Sequence, residues 1–411
     1  MRKSLQAPRN PDKTPAETND VKIRTFGTLL LLLASVAMAY GQLGPGPWKT
    51  DLSKKTIDLR ELRSGGPPKD GIPAIFEPRF VGVDEAEAWI ADKEPVLMVR
   101  YAGEARAYPL HLLIFHELAN DQIGDLPILV SYCPLCNSAI TFDRRIDGVV
   151  HTFGVSGMLR NSDMVMYDRQ TDSLWQQLTG DGLVGEHTGK QLRLVSSQVV
   201  PWDSFAKNFP DGKVLSRRTG HARRYGTTPY GGYEFSNRLM FPVPVTRRVN
   251  VRPMERMLTL TVAGKVRAYT FDSLRRHKVT EGKIKDHRYV VFYEPTALTT
   301  MDTRSIADSR AVGSVGVFST ELDSERLKFE FENGKIFDKA TRSTWDFLGR
   351  AVDGPLEGKQ LESIEHGVYY AFAVLAFYPN AELVGVRPET IQTPAGGLGQ
   401  QPQQPRVEGL P

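Results

Sequence analysis

The chain is poor in cysteine, in net charge and in familiar catalytic signatures. Its 411 residues include two cysteines, so this is not a fold built on disulfide bonds. Its formal net charge is +4, and nothing in that balance indicates a nucleic-acid partner. It also has no glycine-rich phosphate loop, nucleophile elbow or His-Glu-x-x-His pattern. No pattern in the sequence therefore assigns a reaction.

One long apolar run lies near the start of the chain. Basic residues Lys22 and Arg24 precede the run from Phe26 to Val36, and Ala37-Met38-Ala39 follows it. A basic region, a short apolar core and a small-x-small site are typical of an export signal. We therefore expect residues 1–39 to be a signal peptide and the protein to be periplasmic or extracellular. Contact with the membrane would be transient and through this segment, or permanent if the segment stays uncleaved as an anchor.

Both cysteines lie in one short segment, Cys133-Pro134-Leu135-Cys136. Apolar, β-rich runs precede it at 127–132 and follow it at 139–144, so we expect the cysteines on a turn between two strands. A thioredoxin-like dithiol would instead open a helix, whose N-terminus lowers the pKa of the first thiol, and no helical period follows here. Three uses of the pair stay open: a metal site, a redox dithiol and a structural disulfide.

A Cys-Pro-x-Cys turn resembles the metal knuckles of rubredoxin-like and zinc-ribbon sites. The residue after the second cysteine in such turns tends to adopt the left-handed conformation. Glycine is favoured there, and asparagine, which this chain has at Asn137, is the next most tolerant residue type. Knuckles normally come in pairs and this chain has one, so histidine, methionine or carboxylate ligands would have to complete a shell for copper or zinc. His116 is the third candidate ligand. It follows Leu112, Leu113 and Phe115, and a hydrogen-bonded core histidine explains it equally well.

Methionines and polar residues cluster after the cysteine turn. Met158, Met164 and Met166 offer thioethers that suit Cu(I), although methionines near a β core more often serve packing. The polar residues in this region are Asn161, Asp163, Asp168, Arg169 and Asp172. They are interpreted either as a solvated strand with turn-forming residues or as the rim of a ligand pocket.

The two halves of the chain match each other at a fixed offset. Residues 102–108 (AGEARAY) recur at 263–269 (AGKVRAY), an offset of 263 − 102 = 161. At the same offset His116 matches His277, and Tyr132 matches Tyr293. The period is too long for a solenoid or a propeller blade, so we predict two tandem domains of one fold.

The expected fold is mainly β (α+β), with two tandem repeats of a β-rich domain and a few short helices. Helices are predicted at 84–91, with Asp84 as N-cap, at 109–118 and at 202–209. The predicted divisions are a signal peptide at 1–39, a linker and N-terminal extension at 40–79, a first repeat domain at 80–217, a bridging segment at 218–249, a second, degenerate repeat domain at 250–387 and a disordered tail at 388–411.

The repeat provides a control for the cysteine turn. Residues 133–136 are matched by Glu294-Pro295-Thr296-Ala297, so the turn is kept in the second half while both thiols are lost. Thiols that served the fold alone would be needed in both halves. The comparison therefore disfavours a purely structural disulfide and favours one functional site in the first half. It also weighs against His116 as a ligand, because His277 persists where no cysteine accompanies it.

Several motifs resemble those of a known family. They are the runs 116–121, 131–136, 154–157, 161–163 and 166–171, with Trp175. Together they are similar to the exported prokaryotic family called domain of unknown function 3179 (DUF3179). The likeness continues through 230–233 into the second half, and Asn137 stands where members usually have glycine. The resemblance implies export and no established activity.

These observations favour an exported protein that binds copper or zinc through Cys133 and Cys136, with His116 as third candidate ligand. One alternative is a periplasmic thiol–disulfide oxidoreductase using the same pair, which requires a thiol of low pKa. Another is a non-catalytic interaction protein in which the cysteines form a local clip.

Overall fold

The computed structural model describes residues 47–244 and 249–386. The predicted signal peptide at 1–39 and the predicted tail at 388–411 lie outside these residues. Strands account for 43% of the described residues and helices for 14%, so the predicted mainly β class with short helices is confirmed. Within the described ranges, no helix has the length and apolar character needed to cross a bilayer.

Residues 47–217, the described part of the first half and the segment before it, contain short strands and three helices. The strands are β1 (Arg63–Ser64), β2 (Phe80–Gly82), β3 (Pro95–Tyr101), β4 (Glu104–Pro109), β5 (Leu118–Ile123), β6 (Leu126–Cys133), β7 (Ser138–Asp143), β8 (Arg145–Ile146), β9 (Val149–Val150), β10 (Phe153–Arg160), β11 (Asp163–Asp168), β12 (Leu174–Gln176), β13 (Gly182–Val184), β14 (Arg193–Val195), β15 (Ser197–Pro201) and β16 (Lys213–Leu215). The helices are α1 (Val83–Glu87), α2 (Leu110–His116) and α3 (Trp202–Asn208), with 3-10 turns at Leu59–Glu61 and Pro134–Cys136.

The described part of the bridging segment contributes one helical turn, α4 (Tyr233–Ser236), and the second half follows it. Its strands are β17 (Arg256–Val262), β18 (Lys265–Thr270), β19 (Val279–Ile284), β20 (His287–Glu294), β21 (Ser314–Ser319), β22 (Glu321–Leu322), β23 (Glu325–Arg326), β24 (Phe329–Glu332), β25 (Lys335–Asp338), β26 (Thr344–Trp345), β27 (Ala351–Asp353), β28 (His366–Tyr370) and β29 (Glu382–Val384). Its helices are α5 (Phe271–His277) and α6 (Ala371–Phe377), with a 3-10 turn at Ile306–Asp308.

The larger sheets of the first half have the strand orders β15-β3-β4-β16-β2, β14-β7-β6-β5 and β1-β10-β11-β12-β13. In the first of them β16 runs parallel to β4, and β3 runs antiparallel to both β4 and β15. The turn between β6 and β7 belongs to the second sheet, and the hairpin of β10 and β11 to the third. These two features carry the candidate site.

The second half has the strand orders β28-β17-β18-β29, β19-β20-β21 and β24-β25-β26-β27. Strand β29 runs parallel to β18, as β16 does to β4. In these orders β17, β18 and β20 take the places of β3, β4 and β6. The division into repeat domains at 80–217 and 250–387 nevertheless stays a prediction, because strand order does not fix domain boundaries.

The predicted helices are present with shifted ends. The helix predicted at 84–91 begins at Val83 and has Gly82, not Asp84, as its N-cap. Asp84 lies in the first turn instead, where a negative charge still favours the helix N-terminus. Helices α2 and α3 are each entered from a proline, Pro109 and Pro201, that ends the preceding strand.

One large apolar core runs through both halves. It includes residues from Ala74 to Ala381 and contains both cysteines. The Tyr132 and Thr300 hydroxyls meet at 2.6 Å across the two halves, and the Tyr233 hydroxyl donates to the carbonyl of Leu135 at 3.1 Å. The cysteine turn is therefore an interior feature, covered in part by the bridging segment.

Candidate metal centre

The cysteine turn has the backbone that its sequence predicts. Strand β6 ends at Cys133, residues 134–136 form a 3-10 turn, and Asn137 is left-handed with φ 55° and ψ 33°. That residue lets β7 begin at Ser138, which pairs with Cys133. The two Sγ atoms consequently lie 3.3 Å apart, well beyond the roughly 2.05 Å of a disulfide bond, and both cysteines are free.

The carboxyl group of Asp163 reaches the two sulfurs from a different sheet. Strands β10 and β11 are joined by Asn161 and Ser162, both left-handed with φ 50° and 62°, and Asp163 follows directly. The thiol of Cys136 donates to Asp163 Oδ1 at 2.8 Å. The ligand atoms of Cys133, Cys136 and Asp163 all lie within 4.8 Å of one another, and all three residues are buried.

The orientation of Asp163 is fixed by its neighbours. Its Oδ2 accepts hydrogen bonds from the side-chain amide of Gln176 at 2.6 Å and from the backbone N–H of Leu178 at 2.9 Å. Its Oδ1 is left to face the sulfurs. Outer hydrogen bonds of this kind orient the ligands of protein metal sites, and here they come from residues at the end of β12 and just after it.

Burial dominates the electrostatics of this group. It raises the pKa of both thiols, and it raises the pKa of Asp163 to about 6. Among the described residues, the strongest further influences on that carboxyl are hydrogen bonds from Cys136, Gln176, Leu178 and Cys133, none of which is a cation. A nucleophilic dithiol requires the opposite, a lowered thiol pKa. The environment therefore suits thiols that keep their protons until a cation binds and takes them as thiolates.

Glu117 adds a fourth acidic group. It lies just after α2 and is buried, and burial, with the charge of Asp163, raises its pKa to about 8. Glu117 in turn contributes to the raised pKa of Cys133. Two thiols and two carboxyls thus share one buried region, and a divalent cation would relieve the unfavourable clustering of their charged forms.

A family model for proteins of unknown function, DUF3179, matches residues 69–381. The chain belongs to the DUF3179 family. The match covers the cysteine turn, Asp163 and most of both halves, and it agrees with the resemblance drawn from the motifs. No curated protein and no solved structure matches the chain, so family membership supplies no activity.

The structure does not bring His116 into the ligand group of this DUF3179 protein. Its Nδ1 lies 2.7 Å from the carbonyl of Pro73 and its Nε2 lies 2.6 Å from the hydroxyl of Tyr225, so both ring nitrogens have partners. Burial lowers its pKa to about 4, which keeps the ring neutral. This geometry fits a hydrogen-bonded core histidine. Asp163, and not His116, is the third side chain close to the two sulfurs.

The predicted methionine cluster serves packing. Met164 and Met166 belong to the large core, and Met158 belongs to a separate apolar cluster with Val165 and Tyr167. Because the three thioethers divide between two clusters, they do not form one soft ligand set, and the packing interpretation holds.

Sequence reasoning placed Asp163 in a polar set without singling it out, and it missed Glu117. The available signal for Asp163 was an acidic residue at the start of an otherwise apolar strand, Met164-Val165-Met166. The distance between the cysteine turn and this hairpin tip is set by the packing of two sheets. No spacing in the sequence encodes it.

The second half lacks the whole group and closes its turn differently. At the position of Cys133, the Glu294 carboxylate accepts the backbone N–H groups of Thr296 at 2.8 Å and Ala297 at 3.0 Å. The hairpin is also shorter, with four residues in each of β24 and β25 against eight in β10 and six in β11. The extension that carries Asp163 to the cysteines is therefore specific to the first half.

Proposed function

We propose that this DUF3179 protein is an exported protein that binds one transition-metal ion through Cys133, Cys136 and Asp163. The observation that carries the proposal is the convergence of two thiols and a carboxyl, all buried, within 4.8 Å. Each of the three side chains comes from a strand end or turn of a packed sheet, so the site is held by the fold.

The donor set favours zinc over copper. Zn²⁺ accepts both thiolate and carboxylate ligands, whereas Cu(I) prefers sulfur alone. Tetrahedral Zn–S bonds of about 2.3 Å place two sulfurs about 3.8 Å apart, so the present 3.3 Å would widen by about half an ångström on binding. The backbone N–H of Met164 opposes the rise in the pKa of Cys133 and would support the thiolate.

Three protein ligands leave a fourth position for another group. Glu117 is electrostatically coupled to both Cys133 and Asp163, but it is not among the groups that lie within 4.8 Å of one another, so it would have to move to take that position. A shell closed by Glu117 would be structural, and one closed by solvent would be open to substrate.

A thiol–disulfide oxidoreductase is the second candidate function. The 3.3 Å between the sulfurs favours it, because a small movement would bring them to bonding distance. Their complete burial and raised pKa oppose it, since exchange requires an accessible thiolate.

The first test is metal analysis of untagged protein recovered from the periplasmic fraction, where an N-terminus at Tyr40 is expected. Cobalt(II) loaded into the wild-type protein should give thiolate-to-metal absorption in the near ultraviolet. Cys133→Ser, Cys136→Ser and Asp163→Asn should each weaken binding about 100-fold or more, because each removes one of three ligands. Glu294→Gln, at the position that matches Cys133, is the matched control and should bind as the wild type does.

Two outcomes would contradict this assignment. Undiminished thiolate-to-cobalt absorption in folded Cys133→Ser would exclude that cysteine as a ligand. A metal-free protein whose cysteines exchange reversibly with glutathione buffers would favour the oxidoreductase instead.

A further inference from the structure

A second buried cluster lies elsewhere in the first half. We propose that His151, Asp168 and His187 form a second metal site, which takes a divalent transition metal through two nitrogens and one oxygen. His151 lies between β9 and β10, Asp168 ends β11, and His187 follows β13. Their ligand atoms lie within 4.8 Å of one another and all three residues are buried.

The polar atoms of this cluster are incompletely satisfied. Among the described residues, the buried Nε2 of His187 has no hydrogen-bond partner, although the residue is only 9% exposed. Buried ring nitrogens normally have a hydrogen-bond partner or a bound metal ion, and a metal ion would satisfy this one. Neutral imidazole nitrogen is the commonest protein ligand for such metals.

The spacing of the other two members also fits a metal. His151 Nδ1 and Asp168 Oδ1 are 3.3 Å apart, which is long for a charge-assisted hydrogen bond. Two ligands at about 2.0 to 2.1 Å from a tetrahedral zinc ion are separated by about 3.3 to 3.4 Å. The pair is thus already at ligand separation.

The carboxylate of Asp168 is held in place by neighbouring donors. Its Oδ2 accepts the indole N–H of Trp175 at 3.0 Å, and its Oδ1 accepts the backbone N–H of Thr171 at 2.8 Å. The hydroxyl of Thr171 lies 2.9 Å from each carboxylate oxygen. The ring of His187 packs near Trp175, with centroids 5.8 Å apart. Such outer contacts fix ligand orientation.

The second half keeps this scaffold and replaces both histidines. The carboxylate of Asp338 accepts the backbone N–H of Thr341 at 2.6 Å and the indole N–H of Trp345 at 3.1 Å, as Asp168 does with Thr171 and Trp175. The carboxylate network is therefore common to both halves and needs no metal.

Backbone hydrogen bonds identify the residues that replace the histidines. The N–H of His187 donates to Ser173 Oγ, and the N–H of Leu356 donates to Ser343 Oγ. In the first half the backbone N–H of Arg169 donates to the carbonyl of Thr152, the residue after His151. In the second half the backbone N–H of Lys339 donates to the carbonyl of Lys328, the residue after Leu327. Leucines thus occupy both histidine positions, so the fold accepts apolar side chains there and the histidines are an addition specific to the first half.

The two sites are separate in space and in chemistry. Asp163 and Asp168 stand at opposite ends of β11, a span of about 17 Å at the usual rise of an extended strand. Two imidazoles and a carboxylate suit Zn²⁺, Ni²⁺, Co²⁺ or Cu²⁺, and the absence of sulfur gives bound cobalt(II) a different spectrum.

The test uses the Cys133→Ser/Cys136→Ser protein, so that it is independent of the sulfur site. Titration with Zn²⁺ alone should detect one bound ion per chain by calorimetry. His151→Leu and His187→Leu, which introduce the second half's residues, should each weaken binding at least 100-fold. The exposed His287 supplies the control, and His287→Leu should bind as its parent does.

Thermal unfolding separates loss of a ligand from loss of the fold. In EDTA, His187→Leu should unfold at the same temperature as its parent or higher, because it removes an unpartnered buried nitrogen. Zn²⁺ should raise the unfolding temperature of the parent and not that of the variant. A parent that binds no Zn²⁺ at micromolar concentration, or a folded His187→Leu variant that binds it equally well, would overturn the proposal.

Discussion

Glu117 and Lys278 occupy the same kind of backbone position with different ionisable side chains. Both have an unusual positive φ, 58° and 62°, and both donate their N–H four residues back, to Leu113 and Leu274. The strained turn is therefore a feature of the fold, while the side chain is free to differ. In the first half the side chain at this position is Glu117, whose carboxyl shares the buried region of the thiols. In the second half it is Lys278, whose cation lies over the ring of Tyr293.

Asp143 provides a residue-scale prediction on pH. Its burial alone would raise its pKa, but hydrogen bonds from Arg145 and Arg193 outweigh burial and lower it to about 2. Because the pKa is lower in the folded than in the unfolded chain, the stabilisation is fully present above pH 3.8 and is lost as the pH falls toward 2. Asp143→Asn should lower the free energy of unfolding at pH 7 by about 1 to 2 kcal/mol, given the exposed arginines.

Urea unfolding of both proteins at pH 7, 4 and 3 measures this effect. The difference between them should shrink as the pH falls. Asp147→Asn, which removes an exposed pair with Lys190, is the control and should change stability by less than about 0.5 kcal/mol at any of these values. A difference for Asp143→Asn that stays constant from pH 7 to pH 3 would contradict the assigned pKa.

At the scale of elements, the hairpin of β10 and β11 decides whether the first site exists. It is longer than its second-half counterpart, and its length places Asp163 against the cysteine turn. Its two-residue turn uses Asn161 and Ser162, whereas the matching turn uses Asn333 and Gly334. Serine has no intrinsic preference for the left-handed conformation that both second positions adopt.

Ser162→Gly should therefore stabilise the protein by about 1 kcal/mol, because glycine adopts a positive φ without steric cost. The reciprocal change Gly334→Ser should destabilise it by a similar amount, since that position also has a positive φ and open space around it. Chemical denaturation in EDTA measures both variants. A loss of stability in Ser162→Gly would mean that the serine side chain makes a contact worth more than the backbone strain.

At the scale of the whole molecule, a buried ion pair ties the bridging segment to the second half, while Tyr233 of the same segment donates to Leu135 in the first half. Arg256 at the start of β17 donates to both oxygens of Glu234 in α4, at 2.6 and 3.0 Å, and also to the hydroxyl of Thr299 at 3.0 Å. The arginine side chain is 10% exposed and the glutamate 5%. Loss of the arginine would leave a buried carboxylate without its counter-charge.

Arg256→Met should therefore lower the free energy of unfolding by about 3 to 5 kcal/mol. Arg275→Ala is the control, because its pair with Asp272 lies on the exposed surface of α5 and should contribute less than about 1 kcal/mol. Since one apolar core spans both halves, unfolding of the wild type should follow a single transition by fluorescence and by circular dichroism. Two separated transitions would contradict a shared core.

The local features of this protein follow from its amino-acid sequence. The β-rich runs on either side of Cys133 and Cys136 predicted a strand–turn–strand unit, and Asn137 predicted its left-handed exit, because both depend on neighbouring residues. The self-comparison predicted that the thiols are specific to one half, and the family motifs predicted the family. These inferences need no knowledge of how sheets pack.

Which distant side chains meet depends on how the sheets pack. Asp163 reaches the sulfurs from 27 residues further along the chain and from another sheet, and His116 turns away from them to Pro73 and Tyr225. At the ungapped offset of 161 residues His151 falls opposite Val312, whereas the backbone hydrogen bonds pair it with Leu327. Ligand sets of this kind depend on sheet packing and on insertions in loops, and burial then sets the pKa of each group. Sheet packing, loop insertions and burial all depend on residues that are distant in the sequence, so local sequence patterns do not predict them.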